Sequence, residues 1–384
     1  MANVLLVDTN FSATPIYDFL VANGHDVFVV GGNPTDSLAK SAARYVSQDY
    51  SDIASIRILF NKLKIDFLVP GCNDLSYLVC AALNDQGRFF GFDKLDIAET
   101  LHHKHKFRDF AFSLRLPCPH ILGADEVGKR WPIIVKPVDA FSGRGVTVLR
   151  ADQAEKLESA MQLATQYSRT RSYLIEDYVE GQLYSHSAFL GEQQIVCDVI
   201  VEEHGTANPF VVDTSRVLPT PSPTILQAIR ESIATLARSL NLNNGLIHTQ
   251  FIQCGDDISI IEVTRRCPGD LYSQLIQLST GINYVENYVR PFLGMPYRFV
   301  QSFDNPAWIM RHTISSPIPF SFKGLRYVVP LHVEKFVPLC VTGDRLQASP
   351  FGRVAILFAR ASDQEQMDTL FQLTLDRNLY TFET

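Results

Sequence analysis

A chain of 384 residues has room for two or three domains at about 150 residues each. Its composition, 46% hydrophobic and 20% charged, excludes a disordered chain, a collagen-like repeat and a small disulfide scaffold. The formal net charge of -7 argues against a nucleic-acid binder, which is ordinarily basic.

In chain order, the start Met1-Ala2-Asn3-Val4-Leu5-Leu6-Val7 lacks a basic n-region, and its apolar run is too short for a signal sequence. Strand and helix signals then alternate. Asn3–Val7, Asp26–Val30 and Asp66–Pro70 are short apolar runs, and Pro15–Asn23 has helical spacing and stops at Gly24. Such strands, separated by helices, predict a parallel sheet covered on both faces, with ligands past the carboxyl ends of its strands. The turn Asp8-Thr9-Asn10-Phe11-Ser12 has no glycine, which removes the dinucleotide fingerprint and a nicotinamide cofactor with it.

A helix is expected over Lys106–Leu116, and strands then dominate: Pro132–Val135, Gly145–Leu149, Tyr173–Glu176, Ser185–Leu190 and Ile195–Glu202. Pro219–Pro223 reads as a rigid connector to a helix near Pro223–Leu240. A hairpin pattern runs from Gly245 to Thr264, and the tail from Trp308 is mostly strand with a last helix near Ser362–Asp376. No stretch approaches the roughly 20 apolar residues that span a bilayer. The seven cysteines include no C-x-x-C and read as reduced thiols without disulfides or a zinc site. A cytoplasmic protein with no nucleic-acid or membrane partner is expected.

Three segments carry chemistry. Lys136 ends an apolar strand, and the loop Asp139–Gly145 follows with Ser142, Gly143, Arg144 and Gly145. Its backbone N–H groups can wrap a phosphate while lysine and arginine add charge; a hairpin turn with a solvated arginine is the plain alternative. In the second segment, Glu176-Asp177-Tyr178-Val179, a strand ends in acids and resumes. A crossing of this kind can offer an adenine ring a backbone donor and acceptor, though acidic strand ends are common. The third is the hairpin. With Gly255-Asp256-Asp257 as a three-residue loop, Cys254 faces Ile258, Gln250 faces Glu262 and His248 faces Thr264. Alternation then puts His248, Gln250, Glu262 and Thr264 on one face, with Arg266 next in line, and Ile247, Thr249, Phe251, Ile261 and Val263 on the other. Such a polar row can floor a magnesium-phosphate site, or simply be the wet side of a half-exposed hairpin.

Weaker candidates concern a second substrate. Asn73-Asp74 follow a strand end and could bind an acceptor or cap a helix. Arg216 could hold a carboxylate or be an ordinary surface arginine. Arg265 to Asp270 precede a helix, whose start could help fix an anion. His102-His103-Lys104-His105-Lys106 is rejected as a metal cluster because its lysines repel a cation, and Cys267 has no base paired to it in sequence.

In this order the segments resemble the ATP-grasp superfamily, which includes biotin carboxylase, carbamoyl phosphate synthetase and D-alanine–D-alanine ligase. The resemblance covers roughly residues 1–300. It implies an N-terminal Rossmann-like α/β domain (1–95), an ATP-grasp small lobe (96–180), a large lobe (181–300) and a β-rich C-terminal segment (301–384). It also implies ATP and magnesium as cofactors. Lys104 and Lys136 match the two ATP lysines, Ser142 to Gly145 the phosphate loop, and Glu176, Asp177 and Val179 the adenine hinge. Glu262 matches a metal ligand and Arg266 the phosphate arginine, so that Arg266 and Lys136 are the implied catalytic residues. The chain departs from the family at Gln250, where a second metal-binding acid is usual, and at Thr264, where asparagine is usual. No clear match to the ribose carboxylate exists; Gln182 or Tyr184 occupies that region. Asn73, Asp74, Arg216, His248 and Asp270 remain the substrate candidates. The implied activity is an ATP-dependent ligase joining a small-molecule carboxylate to an amine through an acyl phosphate. A thiol or bicarbonate acceptor, or a nucleotide-binding regulator without turnover, is the alternative, and the reading leaves a homodimer open.

Overall fold

The computed structural model describes residues 2–123, 125–140, 143–299 and 307–383; Ser142 lies outside them. The alternating N-terminal pattern folds as β1 (Asn3–Val7), α1 (Thr14–Ala22), β2 (Asp26–Gly31), α2 (Ser37–Ser41), β3 (Tyr45–Ser47), α3 (Ile53–Leu63), β4 (Phe67–Pro70) and α4 (Asp74–Leu83). The strands form an all-parallel sheet in the order β3-β2-β1-β4. Val4 to Val7 and Val27 to Val30 are buried throughout, which is why they show no polar alternation.

Helices α5 (Leu95–His102) and α6 (Lys104–Ser113) lead to a three-stranded sheet of β5 (Ile133–Pro137), β6 (Thr147–Leu149) and, after α7 (Leu157–Tyr167), β7 (Tyr173–Asp177). Ile133, Val135, Leu149, Ala160 and Ala164 give it a small core of its own.

Next come β8 (Gln182–Gly191), β9 (Gln194–His204), β10 (Thr214–Val217), α8 (Pro223–Ser239), β11 (Gly245–Cys254), β12 (Asp257–Thr264), α9 (Tyr272–Thr280) and α10 (Tyr284–Val289). The C-terminal part is β13 (Trp308–Ile314), β14 (Phe320–Ser321), β15 (Gly324–Tyr327), β16 (His332–Pro338), β17 (Arg345–Leu346), β18 (Ala355–Ala361), α11 (Gln364–Leu375) and β19 (Tyr380–Glu383). One eight-stranded antiparallel sheet runs β12-β11-β8-β9-β10-β13-β18-β16. The C-terminal strands therefore continue the sheet that contains the predicted hairpin. One face is covered by α8 through Ile247, Phe251 and Val263, and by α11 through Met310. The other carries the polar row and packs against the N-terminal unit through Val199, Val201 and Phe358. Among the described residues no helix is long and apolar enough to cross a membrane.

Candidate active site

The hairpin is built differently from its expected form yet delivers the expected pairs. Two residues, Gly255 and Asp256, join its strands, so exposed Cys254 pairs with Asp257 and not with Ile258 facing it across a three-residue loop. Gly255 has a φ of 62°, the left-handed backbone that tight hairpins need. A bulge between Gln250 and Phe251 then shifts the register, and Gln250 faces Glu262 and His248 faces Thr264. The loop is one residue shorter and the bulge adds one back. Ile260, not Ile261, consequently takes the apolar place opposite Phe251. The Ile261 carbonyl accepts from Arg108 Nη2 at 2.7 Å.

Helix α6 begins at Lys104, two residues before its expected start. Lys104 and Arg108 are then one helical turn apart on a single face. Lys104 Nζ lies 3.5 Å from Glu262 Oε1 and 3.3 Å from the Ala140 carbonyl, so it joins the large sheet to the loop after β5. Arg108 Nε lies 2.9 Å from Glu176 Oε1, and Lys136 Nζ pairs with the other Glu176 oxygen. Burial pushes the Lys136 ammonium down to about 8, against the pull of Glu176. Burial alone would raise the Glu176 carboxyl, but Lys136 and Arg108 hold it below the usual carboxylate range. Glu176 thus enters the site with its carboxylate, as counter-ion to the second lysine. Asp177 N–H donates to the His120 carbonyl at 3.1 Å and Tyr178 N–H to the Pro132 carbonyl at 3.0 Å; the chain leaves the sheet at Val179 and re-enters at Gln182.

The loop after β5 is anchored at both ends. Asp139 accepts from Ser168 Oγ at 2.7 Å and from the N–H groups of Arg169 and Thr170 at 3.0 Å each. Gly143 is left-handed at φ 63°, and a Cβ there would lie 2.7 Å from the Phe210 carbonyl oxygen. The Arg144 guanidinium lies 4.8 Å from the centre of the Phe351 ring. Gly145 is also left-handed.

A second cluster gathers around α4. Asn73 caps the helix by accepting from Ser76 N–H at 2.9 Å. Asp74 Oδ1 receives Arg266 Nε at 3.0 Å and His102 Nδ1 at 3.0 Å. His102 Nε2 accepts the Arg265 N–H at 3.2 Å, which leaves Nδ1 to donate to Asp74. Burial alone would raise the Asp74 carboxyl; Arg266 and His102 instead hold it far below its usual range. Burial works against the charge on Arg266, and Asp74 first and Glu262 next preserve it. Asp270 is left-handed at φ 51°. It binds Arg353 Nη1 at 2.7 Å, donates its N–H to Ser12 Oγ at 2.9 Å and accepts Arg311 at its carbonyl at 3.0 Å.

Two further substrate candidates are engaged with other side chains. His248 is buried, with Nδ1 2.9 Å from Ser187 Oγ. Burial pushes its imidazole down to about 3, and the nearby Arg266 adds to the effect. Arg216 lies on the opposite face of the large sheet, paired with Glu202 at 2.8 Å and Asp368 at 2.5 Å and stacked on Phe371. Sequence reasoning missed Arg108, Glu203, Arg311 and Arg353. Only Arg108 left a signal, its spacing of four from Lys104.

Glu262 and the Gln250 amide offer oxygen donors side by side. Among the described residues no three His, Cys, Asp or Glu gather into a metal cage. Magnesium bound mainly through phosphates and one or two carboxylates needs none, so this pair fits it. Gln250 Nε2 donates to Glu203 Oε2 at 2.8 Å, and Ser185 Oγ donates to Glu203 Oε1 at 3.0 Å. Burial raises the Glu203 carboxyl, and Gln250 and Arg311 work against that.

Residues 129–274, which hold Lys136, the loop after β5, the crossing after β7 and the β11–β12 hairpin, match the family model of the ATP-grasp domain. The chain carries an ATP-grasp domain over that segment. It is 23% identical over 326 residues, 81% of its own length and 80% of the relative's, to a formate-dependent phosphoribosylglycinamide formyltransferase of Synechococcus sp. strain CC9311. Among solved structures it resembles an L-amino acid ligase from Bacillus licheniformis, with a TM-score of 0.80, 16% identity and coverage of 100% of this chain and 98% of that one. A phosphoribosylglycinamide synthetase from Anaerococcus prevotii gives a TM-score of 0.76 at 13% identity, covering 100% and 99%. These likenesses extend the ATP-grasp fold over the C-terminal strands as well as the matched segment.

Proposed function

We propose that this ATP-grasp enzyme is an ATP-dependent ligase that joins a small-molecule carboxylate to an amine, giving ADP and phosphate. The observation that carries the reading is the meeting of Lys104, Lys136, Arg108 and Glu262 between the small and large sheets, with Arg266 alongside. The substrate carboxylate attacks the γ-phosphorus to give an acyl phosphate and ADP; the amine then displaces phosphate and forms the amide. Phosphoryl transfer asks the protein mainly for position and charge neutralisation. Lys104 and Lys136 neutralise the phosphates, the Gly143–Gly145 loop covers them and keeps water from the acyl phosphate, and Arg266 stabilises the transferring group. Asp177 and Val179 offer the adenine ring their backbone. Glu262 and Gln250 would hold magnesium, which supplies charge neutralisation on the phosphates. Asn73, Asp74 and Asp270 border the space for the second substrate. The relatives named above are by name a formyltransferase, an amino acid ligase and a synthetase, which supports a cytoplasmic metabolic role.

Gln250, in place of an acid, favours a second reading, a nucleotide-binding regulator without turnover. A phosphate-release screen with ATP, magnesium and pooled carboxylates and amines separates the two. Substrate-dependent ADP and phosphate support the ligase. AMP and pyrophosphate would overturn the acyl-phosphate route, and tight ATP binding without turnover in any pool would favour the regulator.

A further inference from the structure

The polar face of the large sheet carries a row of hydrogen-bonding side chains. Glu262 on β12 is followed by Gln250 on β11, its cross-strand partner, and by Ser185 on β8, which pairs with Gln250. Val201 stands opposite Ser185 on β9, so the row steps diagonally to Glu203 through the Ser185 hydroxyl, then passes to Ser215 on β10 and ends with Arg311 on β13. Glu203 is only 3% exposed. Its two oxygens take one donor each, Ser185 Oγ and Gln250 Nε2.

A carboxylate only accepts hydrogen bonds, whereas a glutamine amide has one accepting and one donating end. Contact with Glu203 therefore turns the NH2 of Gln250 inward along the row and its carbonyl outward. Without this contact the amide could turn over and present N–H groups, which repel a cation. We infer that Glu203 is a positioning residue that fixes the Gln250 carbonyl toward the metal side of the site. The inference rests on the magnesium-dependent reading above and adds a residue to it. Glu203 and Gln250 act as a unit: one buried carboxyl group and one amide share a hydrogen bond, with the amide nearer the metal. It also accounts for an amide at position 250. A carboxylate at 250 would face the buried carboxylate of Glu203 with no donor between them.

The pair can be tested by reversing it in the full chain. Manganese binding in the presence of ADP, followed by electron paramagnetic resonance, reads the site without turnover. Glu203→Leu should weaken manganese binding about tenfold, the usual scale for loss of a residue that orients a metal ligand. Gln250→Glu alone should lower the melting temperature. Adding Glu203→Gln to Gln250→Glu should restore it, because the new amide donates to the new carboxylate, and the double variant should bind manganese more tightly than the parent. Parent-like manganese binding in Glu203→Leu, or melting effects that simply add in the double variant, would overturn the inference. Glu262→Gln keeps the two readings apart. If it leaves manganese binding unchanged, the metal assignment falls, while the coupling of 203 to 250 is still read by melting.

Discussion

Lys136 is the residue where burial and charge press hardest on one another. Its ammonium is pushed down to about 8 by burial, so in the free protein the charge is present below that pH and lost above it. Phosphate oxygens beside it would favour the charged form. ATP binding at pH 8.5 should then take up a proton, seen in calorimetry as a binding enthalpy that varies with the ionisation enthalpy of the buffer. Binding at pH 6.5 should show no such dependence, and ATP affinity should fall as the pH rises past about 8. The same triad predicts unequal effects on stability. Lys136→Met leaves Glu176 paired with Arg108, whereas Glu176→Leu strands two buried cations. The second should cost about 3–5 kcal/mol and the first clearly less, as measured by denaturant unfolding, while only the first should weaken ATP binding without loss of structure.

At the scale of elements, the loop after β5 is held from outside its own sheet. Gly143 rests on Phe210, and Arg144 on Phe351. Gly143→Ala must accept a left-handed φ and a contact with the Phe210 carbonyl, a strain of about 1–2 kcal/mol that falls on the loop. It should raise the KM for ATP while leaving thermal melting nearly unchanged. Arg144→Ala should speed proteolysis or amide exchange in the loop, and nucleotide with magnesium should slow both. Much of this architecture was legible in the chain. The apolar run Asn3–Val7 is a strand because both of its faces are buried, and Lys136, Glu262 and Arg266 could be placed by what precedes and follows them. The hairpin pairs were right although the loop was wrong, because alternation reports which face a residue takes and cannot show a bulge that offsets a shorter turn. Glu203 and Arg311 were hidden for a different reason. They sit opposite each other only through the four-residue strand β10, and no local pattern announces a pairing across a hundred residues. His248 and Arg216 show what a strand pattern leaves open, because a polar residue on a strand looks the same in sequence whether it bonds within the sheet or reaches a distant ion pair.

For the whole molecule, the continuous sheet means that the C-terminal strands are not an appendage. A fragment ending at residue 300 would leave β10 with an open edge and strip α11 from its face. Open edges of this kind pair with other chains, so the fragment should aggregate on expression, as sedimentation of the soluble fraction would show. Charge sets another whole-site property. Lys104, Arg108, Lys136 and Arg266 already face Glu262, Glu176 and Asp74, so the site is nearly balanced before nucleotide arrives. Metal-free ATP would bring its full charge against Glu262. Chelating divalent ions should weaken ATP binding by about tenfold or more, since a single uncompensated charge at about 4 Å is of order a few kcal/mol.

The tip of the β11–β12 hairpin gives a way to watch these events. Cys254 is exposed there, while the other six thiols are buried or half-buried. The tip packs beside the crossing between the lobes, where a Cβ on Gly181 would meet the Gln253 carbonyl. A maleimide dye should therefore couple first at Cys254 in the unaltered chain, leaving a fluorophore at the seam of the two lobes. Its emission would report lobe closure in real time, with no cysteine removed and none introduced.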